Sequence, residues 1–123
     1  RHSRRGMADL TSVRITSQHL QSGQYNNQQV RAVGKLVSVD GSGSVQLQLA
    51  GDGPPVTIRC DDGSYGLYTD LPDYVGKNYF EVTGILEGNN TIKSYTATHM
   101  GDNLDMSMYG EMVQLTHQFP DLF

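Results

Sequence analysis

Residues that could do chemistry are few and scattered. His19, His99 and His117 stand far apart in the chain, none within ligand spacing of another, and each reads as a surface or partly buried histidine. Asp61, Asp62, Asp70 and Asp73 fall in the turn-rich stretch DDGSYGLYTDLPDYVG, where solvated loop carboxylates are the better reading than a cation site. Cys60 is the single cysteine and alternates with Val56 and Ile58, so it reads as a small core side chain rather than a nucleophile. One thiol forms no internal disulfide and excludes the multi-cysteine zinc and iron–sulfur motifs. No HExxH, GxxxxGK[ST], GxSxG or helix-opening GxGxxG occurs, and a catalytic site needs convergent polar groups. The expectation is a protein without catalytic residues, metal or cofactor.

Charge narrows the remaining classes. The 123 residues carry 9 Lys+Arg against 13 Asp+Glu, net -4. Residues 1–6, Arg1 to Gly6, precede Met7 and are read as an artificial remnant ahead of the natural start. Without their three arginines, six basic residues face thirteen acidic ones, net -7. Proteins that grip nucleic acid by themselves concentrate Lys and Arg, and anionic membranes select basic segments. Both roles are disfavoured for this chain alone. No apolar run approaches the ~20 residues that span a bilayer, and no secretory leader follows Met7, so the chain reads as intracellular and soluble.

The framework is β-rich, with fourteen glycines and short apolar runs. Residues 7–29 are polar, with Val13, Ile15 and Leu20 as spaced anchors; they read as an extended arm with one turn of helix near Ser17–Ser22. Val30–Asp40 is a long β-branched run with Gly34 in its middle, which suggests a bulge or bend. Gly41–Ser44 is a turn. Val45, Leu47 and Leu49 alternate with Gln46 and Gln48; Val56, Ile58 and Cys60 alternate with Thr57 and Arg59. Such alternation marks half-buried strands. After the 61–76 connection, in which Tyr68–Val75 could hold a helical turn, come strands over Tyr79–Glu87 and Thr91–Met100, joined at Gly88-Asn89-Asn90. The reading is all-β: a five-stranded OB-fold barrel over residues 30–103, followed by a C-terminal amphipathic α-helix in residues 104–123.

That helix begins at Asp105, a suitable N-cap, and stops at Pro120. At ~100° per residue, Met108, Met112, Leu115 and Phe119 form one apolar seam. Tyr109, Val113 and Thr116 form a second beside it. Ser107, Gly110, Glu111, Gln114, His117 and Gln118 occupy the other side. The apolar face is about 160° wide, broader than the ~100° stripe that one contact needs. Two seams suit a helix meeting two partners at once; packing on its own barrel is the plainer alternative. Methionine-rich faces are common on adaptable binding surfaces.

Single-strand binding by an OB barrel uses stacking aromatics and cations on a strand face. The outward positions Gln46, Gln48, Thr57 and Arg59 offer no ring and one cation. Arg31 and Lys35 can join Arg59 in weak, salt-sensitive phosphate contact. Tyr65, Tyr68 and Tyr74 either stack on a base or plug one end of the barrel.

The order of motifs resembles the smallest subunit of replication protein A, the eukaryotic heterotrimeric single-stranded-DNA-binding protein. Leu104-Asp105, Met108-Tyr109 and His117-Gln118-Phe119-Pro120 are similar to that family's helix and its His-x-Phe-Pro ending. Val30-x-x-Val33-Gly34-Lys35-Leu36 is similar to its first strand, Arg14-Ile15 with Leu20 to its arm, and Gly51–Ile58 to its turn and strand. The resemblance covers about residues 13–122; the 61–76 connection is longer than the family pattern. It implies an OB fold whose C-terminal helix joins one helix from each of the large and middle subunits. Met108, Tyr109, Met112, Val113, Leu115, Thr116 and Phe119 would be the interface. It also implies a nuclear assembly subunit in DNA replication, repair and recombination that meets single-stranded DNA mainly through the complex. The alternatives are a stand-alone single-strand-binding OB module and the small OB subunit of a telomere-end complex; the His-Gln-Phe-Pro ending favours the first family.

Overall fold

A computed structural model describes residues 12–39, 44–59, 71–88 and 90–119. Cys60, Asp61, Asp62, Asp70, Tyr65, Tyr68, Asn89, Pro120, most of the Gly41–Ser44 turn and the 1–6 segment lie outside them. The elements are β1 (Val13–Ile15), α1 (Ser17–Ser22), β2 (Gln29–Val39), β3 (Val45–Leu49), β4 (Val56–Arg59), a 3₁₀ turn (Leu71–Tyr74), β5 (Tyr79–Gly88), β6 (Thr91–His99) and α2 (Met106–Gln118).

Strands β2 to β6 close on themselves in the order β2-β3-β4-β6-β5, with β5 returning to β2. The β4–β6 pair is parallel; the other four pairs of the ring are antiparallel. This is the OB barrel. Its interior follows from the period-2 pattern: Val30, Ala32, Leu36, Val45, Leu47, Leu49, Val56, Ile58, Phe80, Val82, Leu86 and Ile92 form one buried cluster. Alternation in the sequence assigned the β3 and β4 members of this face, Val45, Leu47, Leu49, Val56 and Ile58.

Long strand β2 serves two neighbours. It pairs with β5 along Gln29–Lys35 and with β3 along Gly34–Val39. Gly34 lies where both pairings overlap, and a Cβ there would stand 2.8 Å from the Gln48 carbonyl oxygen. The glycine thus permits close backbone approach. The expected bulge falls a little later, between Leu36 and Ser38, where the β2–β3 register shifts. At the hairpin, Gly88 and Asn90 both take positive φ, 89° and 54°, which favours glycine and asparagine.

The ring of five strands gains a sixth from the arm. Strand β1 pairs in parallel with β2, Val13 opposite Val30 and Ile15 opposite Ala32. Ile15 and Leu20 enter the barrel core. The short helix falls at Ser17–Ser22, and its buried Ser17 hydroxyl donates to the Ala50 carbonyl (3.0 Å) while accepting from Gly53 N–H (3.2 Å). A three-residue strand has too little pattern to announce itself; its partners supply the order. At the opposite end of β5, Tyr74 stacks on His99 (centroids 4.9 Å apart) and lies near Phe80. Tyr74 therefore packs as a plug rather than standing free.

Candidate functional site

Helix α2 is the element that the barrel does not need for closure. Asp105 caps it: its carboxylate accepts from Met108 N–H (3.1 Å). Thirteen residues are marginal as an isolated helix, and Gly110 costs about 1 kcal/mol relative to alanine. Packing must therefore hold it, and it packs on its own barrel wall.

One seam makes that contact. Val113 is fully enclosed, and Tyr109, Thr116, Met106, Gly110 and His117 are half-buried. Val113 has no surface left for another chain. Burial of Tyr109 raises its hydroxyl above the ordinary tyrosine value; Glu81 adds to the rise, while Arg14 and Arg31 oppose it. Arg14 of β1 lies opposite Arg31 of β2, and Val33 of β2 lies opposite Glu81 of β5. Val33 alternates with Arg31 and Lys35 on the outer wall, yet it is 1% exposed. The helix covers this part of the wall. At Gly110 the approach is close: a Cβ there would be 3.2 Å from that of Ala50.

The docking face is thus rotated away from the middle of the apolar face. It uses Tyr109, Val113 and Thr116 together with Gly110 and His117, both assigned to the polar side by spacing. Met108 is left 65% exposed, Leu115 44% and Phe119 50%, with Met112 half-buried beside them. These residues step by four, three and four along one seam, a heptad-like spacing. Of the seven interface residues expected from the sequence, four line this outward seam and three face the wall.

His117 fixes the C-terminal end of α2. Its Nε2 lies 2.7 Å from the Arg14 carbonyl, and its Nδ1 is 3.3 Å from the Tyr25 hydroxyl. The ring stacks on His19, centroids 4.2 Å apart and planes 15° from parallel, and Tyr25 meets both rings edge-on. No spacing in the sequence signals this cluster, because its members lie some ninety residues apart and meet only when the arm pairs with β2.

The three cations considered for nucleic-acid contact have separate local engagements. Arg31 belongs to the wall patch around Tyr109, and its Nε is buried without a hydrogen-bond partner, as is the Tyr109 hydroxyl. The Lys35 ammonium sits over the Tyr79 ring, 5.6 Å from its centroid. Arg59 donates to both carboxylate oxygens of Glu87 at 2.7 Å. No group of three metal-ligating side chains occurs among the described residues. None of their helices is long and apolar enough to cross a membrane.

Topology and appended helix define an OB-fold protein whose C-terminal helix lies across the barrel wall with one apolar seam outward. A family model, Replication factor A protein 3, matches residues 7–123. The chain belongs to that family, the smallest subunits of replication protein A. It is 38% identical over 76 residues to a 14 kDa subunit of replication protein A from Arabidopsis thaliana, covering 54% of this chain and 72% of that one. It is also similar to a chain in the structure of U. maydis replication protein A bound to ssDNA, with a TM-score of 0.73, 26% identity, and coverage of 92% and 95% of the two chains. The S. pombe Stn1-Ten1 complex contains a chain of the same fold, with a TM-score of 0.60, 16% identity, and coverage of 87% and 92%.

Proposed function

We propose that this chain is a non-enzymatic assembly subunit of a replication protein A heterotrimer. In this reading α2 completes a three-helix bundle with one helix each from the large and middle subunits. The complex holds single-stranded DNA in replication, repair and recombination in the nucleus. The observation that carries the proposal is the exposed seam Met108, Leu115 and Phe119 on a helix already anchored by its other side. A monomer gains nothing by leaving three large apolar side chains in a row, whereas a partner helix that buries them gains about 1.5–3 kcal/mol for each one fully enclosed. The anchored seam would set the direction in which α2 presents the free one. Family membership and the similarity to a chain from a replication protein A structure support this assignment. The acidic composition supports a subunit whose partners do most of the DNA gripping.

The test is co-expression with the large and middle subunits, followed by purification through a tag on the middle subunit. Leu115→Glu combined with Phe119→Glu should abolish recovery of this chain while its circular dichroism stays that of the folded barrel. Normal recovery of the double variant would refute the bundle.

A further inference from the structure

The histidine cluster has a chemistry that assembly does not explain. The Arg14 carbonyl can only accept, so His117 Nε2 carries the hydrogen and donates to it (2.7 Å). In the neutral ring Nδ1 then accepts from the Tyr25 hydroxyl (3.3 Å). For His19, the Thr16 backbone N–H donates to Nδ1 (2.9 Å), so that nitrogen holds a lone pair. This bond is the return arm of a capping box at the start of α1. Protonating His19 at Nδ1 would set N–H against N–H and break it. A charge on both rings would place two imidazolium ions face to face at the 4.2 Å stacking distance.

We propose that His19 and His117 form a latch operated by a proton on His19: with His19 neutral, the stacked pair holds the C-terminal end of α2 on the N-terminal arm, and proton uptake by His19 releases it. Among the described residues, no anionic side chain compensates a charge on His19; the Thr16 hydroxyl, 3.1 Å from its Nδ1, supplies only a neutral acceptor. Of the described elements packed there, α1 contributes uncharged Gln18, Gln21 and Ser22, and the following turn contributes Tyr25. On β1 the charged residue is Arg14, a cation; on α2 it is Glu111, six residues from His117, about 9 Å along the axis. Burial lowers the affinity of His19 for a proton, and His117 lowers it further. A group whose pKa falls on docking stabilises the docked state above its free value, about 6.5, and loses that contribution as pH drops below it.

The experiment uses the full chain and needs no partner. Amide-exchange protection, corrected for intrinsic rates, is measured across Leu115–Phe119 at about pH 7.5 and about pH 5.5, on either side of the ordinary histidine value. Protection should fall roughly threefold or more at the lower pH, while the β2 and β5 amides keep theirs. His19→Gln retains a capping acceptor at the same position but removes one titrating ring. It should flatten the pH dependence, and because the stack on His117 goes with the ring, protection at the higher pH should fall toward the wild-type value at the lower pH. Equal wild-type protection at both pH values would overturn the latch without a variant being needed. So would a His19→Gln chain that keeps the full wild-type pH dependence.

Discussion

Val113 and Leu115 are two residues apart on one helix, and the fold gives them opposite duties. Val113 is 0% exposed against the chain's own barrel, and Leu115 is 44% exposed. Val113→Ala removes two methyl groups at about 0.8 kcal/mol each. The void left at a fully enclosed site adds a further term, for a total of about 2 kcal/mol. Because α2 is not part of the closed ring of strands, the loss should appear first as opening of the helix from the wall. About 2 kcal/mol is roughly a thirtyfold change in that equilibrium. Native-state amide exchange of the full chain reads it directly: α2 amides should exchange about thirtyfold faster, with β2 and β5 amides much less affected. Leu115→Ala, by contrast, should change α2 protection by no more than ~0.5 kcal/mol. An α2 that stays protected in Val113→Ala, or that opens equally in Leu115→Ala, would refute this division of duties.

Two further substitutions probe the frame that holds α2. Ser17→Ala removes the hydroxyl joining α1 to the Ala50 carbonyl and the Gly53 N–H; the chain should lose about 1 kcal/mol of stability in urea titration, and no change in midpoint would remove this tie from the account. Gly84→Ala would drive a Cβ into the backbone carbonyl of Lys93 across the β5–β6 pair. Backbone on both sides cannot yield, so a loss of about 3 kcal/mol or more is expected, read as a lowered thermal midpoint or absence of soluble protein; a wild-type midpoint would contradict it.

Much of the barrel was legible in the chain. Alternation in Val45–Leu49 and Val56–Ile58 named interior side chains because a strand has only two faces. Gly88 and Asn90 marked a hairpin because their φ values suit few other residues. Strand β1 was not legible: three residues carry no periodicity, and only pairing with β2 makes them a strand. Arg31 and Arg59 were outward by alternation, but no pattern in the chain could say that a helix would cover the wall around one and that Glu87 would engage the other. Gly110 likewise stood on the polar side by spacing, and only the fold sets it against Ala50, where a Cβ would come within 3.2 Å.

The sequence by itself determined which residues of α2 share a face and that this face is too wide for one contact. A 3.6-residue period fixes relative angles and nothing else. Only the tertiary structure decided how the helix is turned about its axis. Wall contacts at Val113, the glycine gap over Ala50 and the His117 bond to the Arg14 carbonyl set that rotation, because all three must be met at once. The same rotation sends Met108, Leu115 and Phe119 outward. It also brings His117 to His19, two rings that no spacing in the chain could have joined.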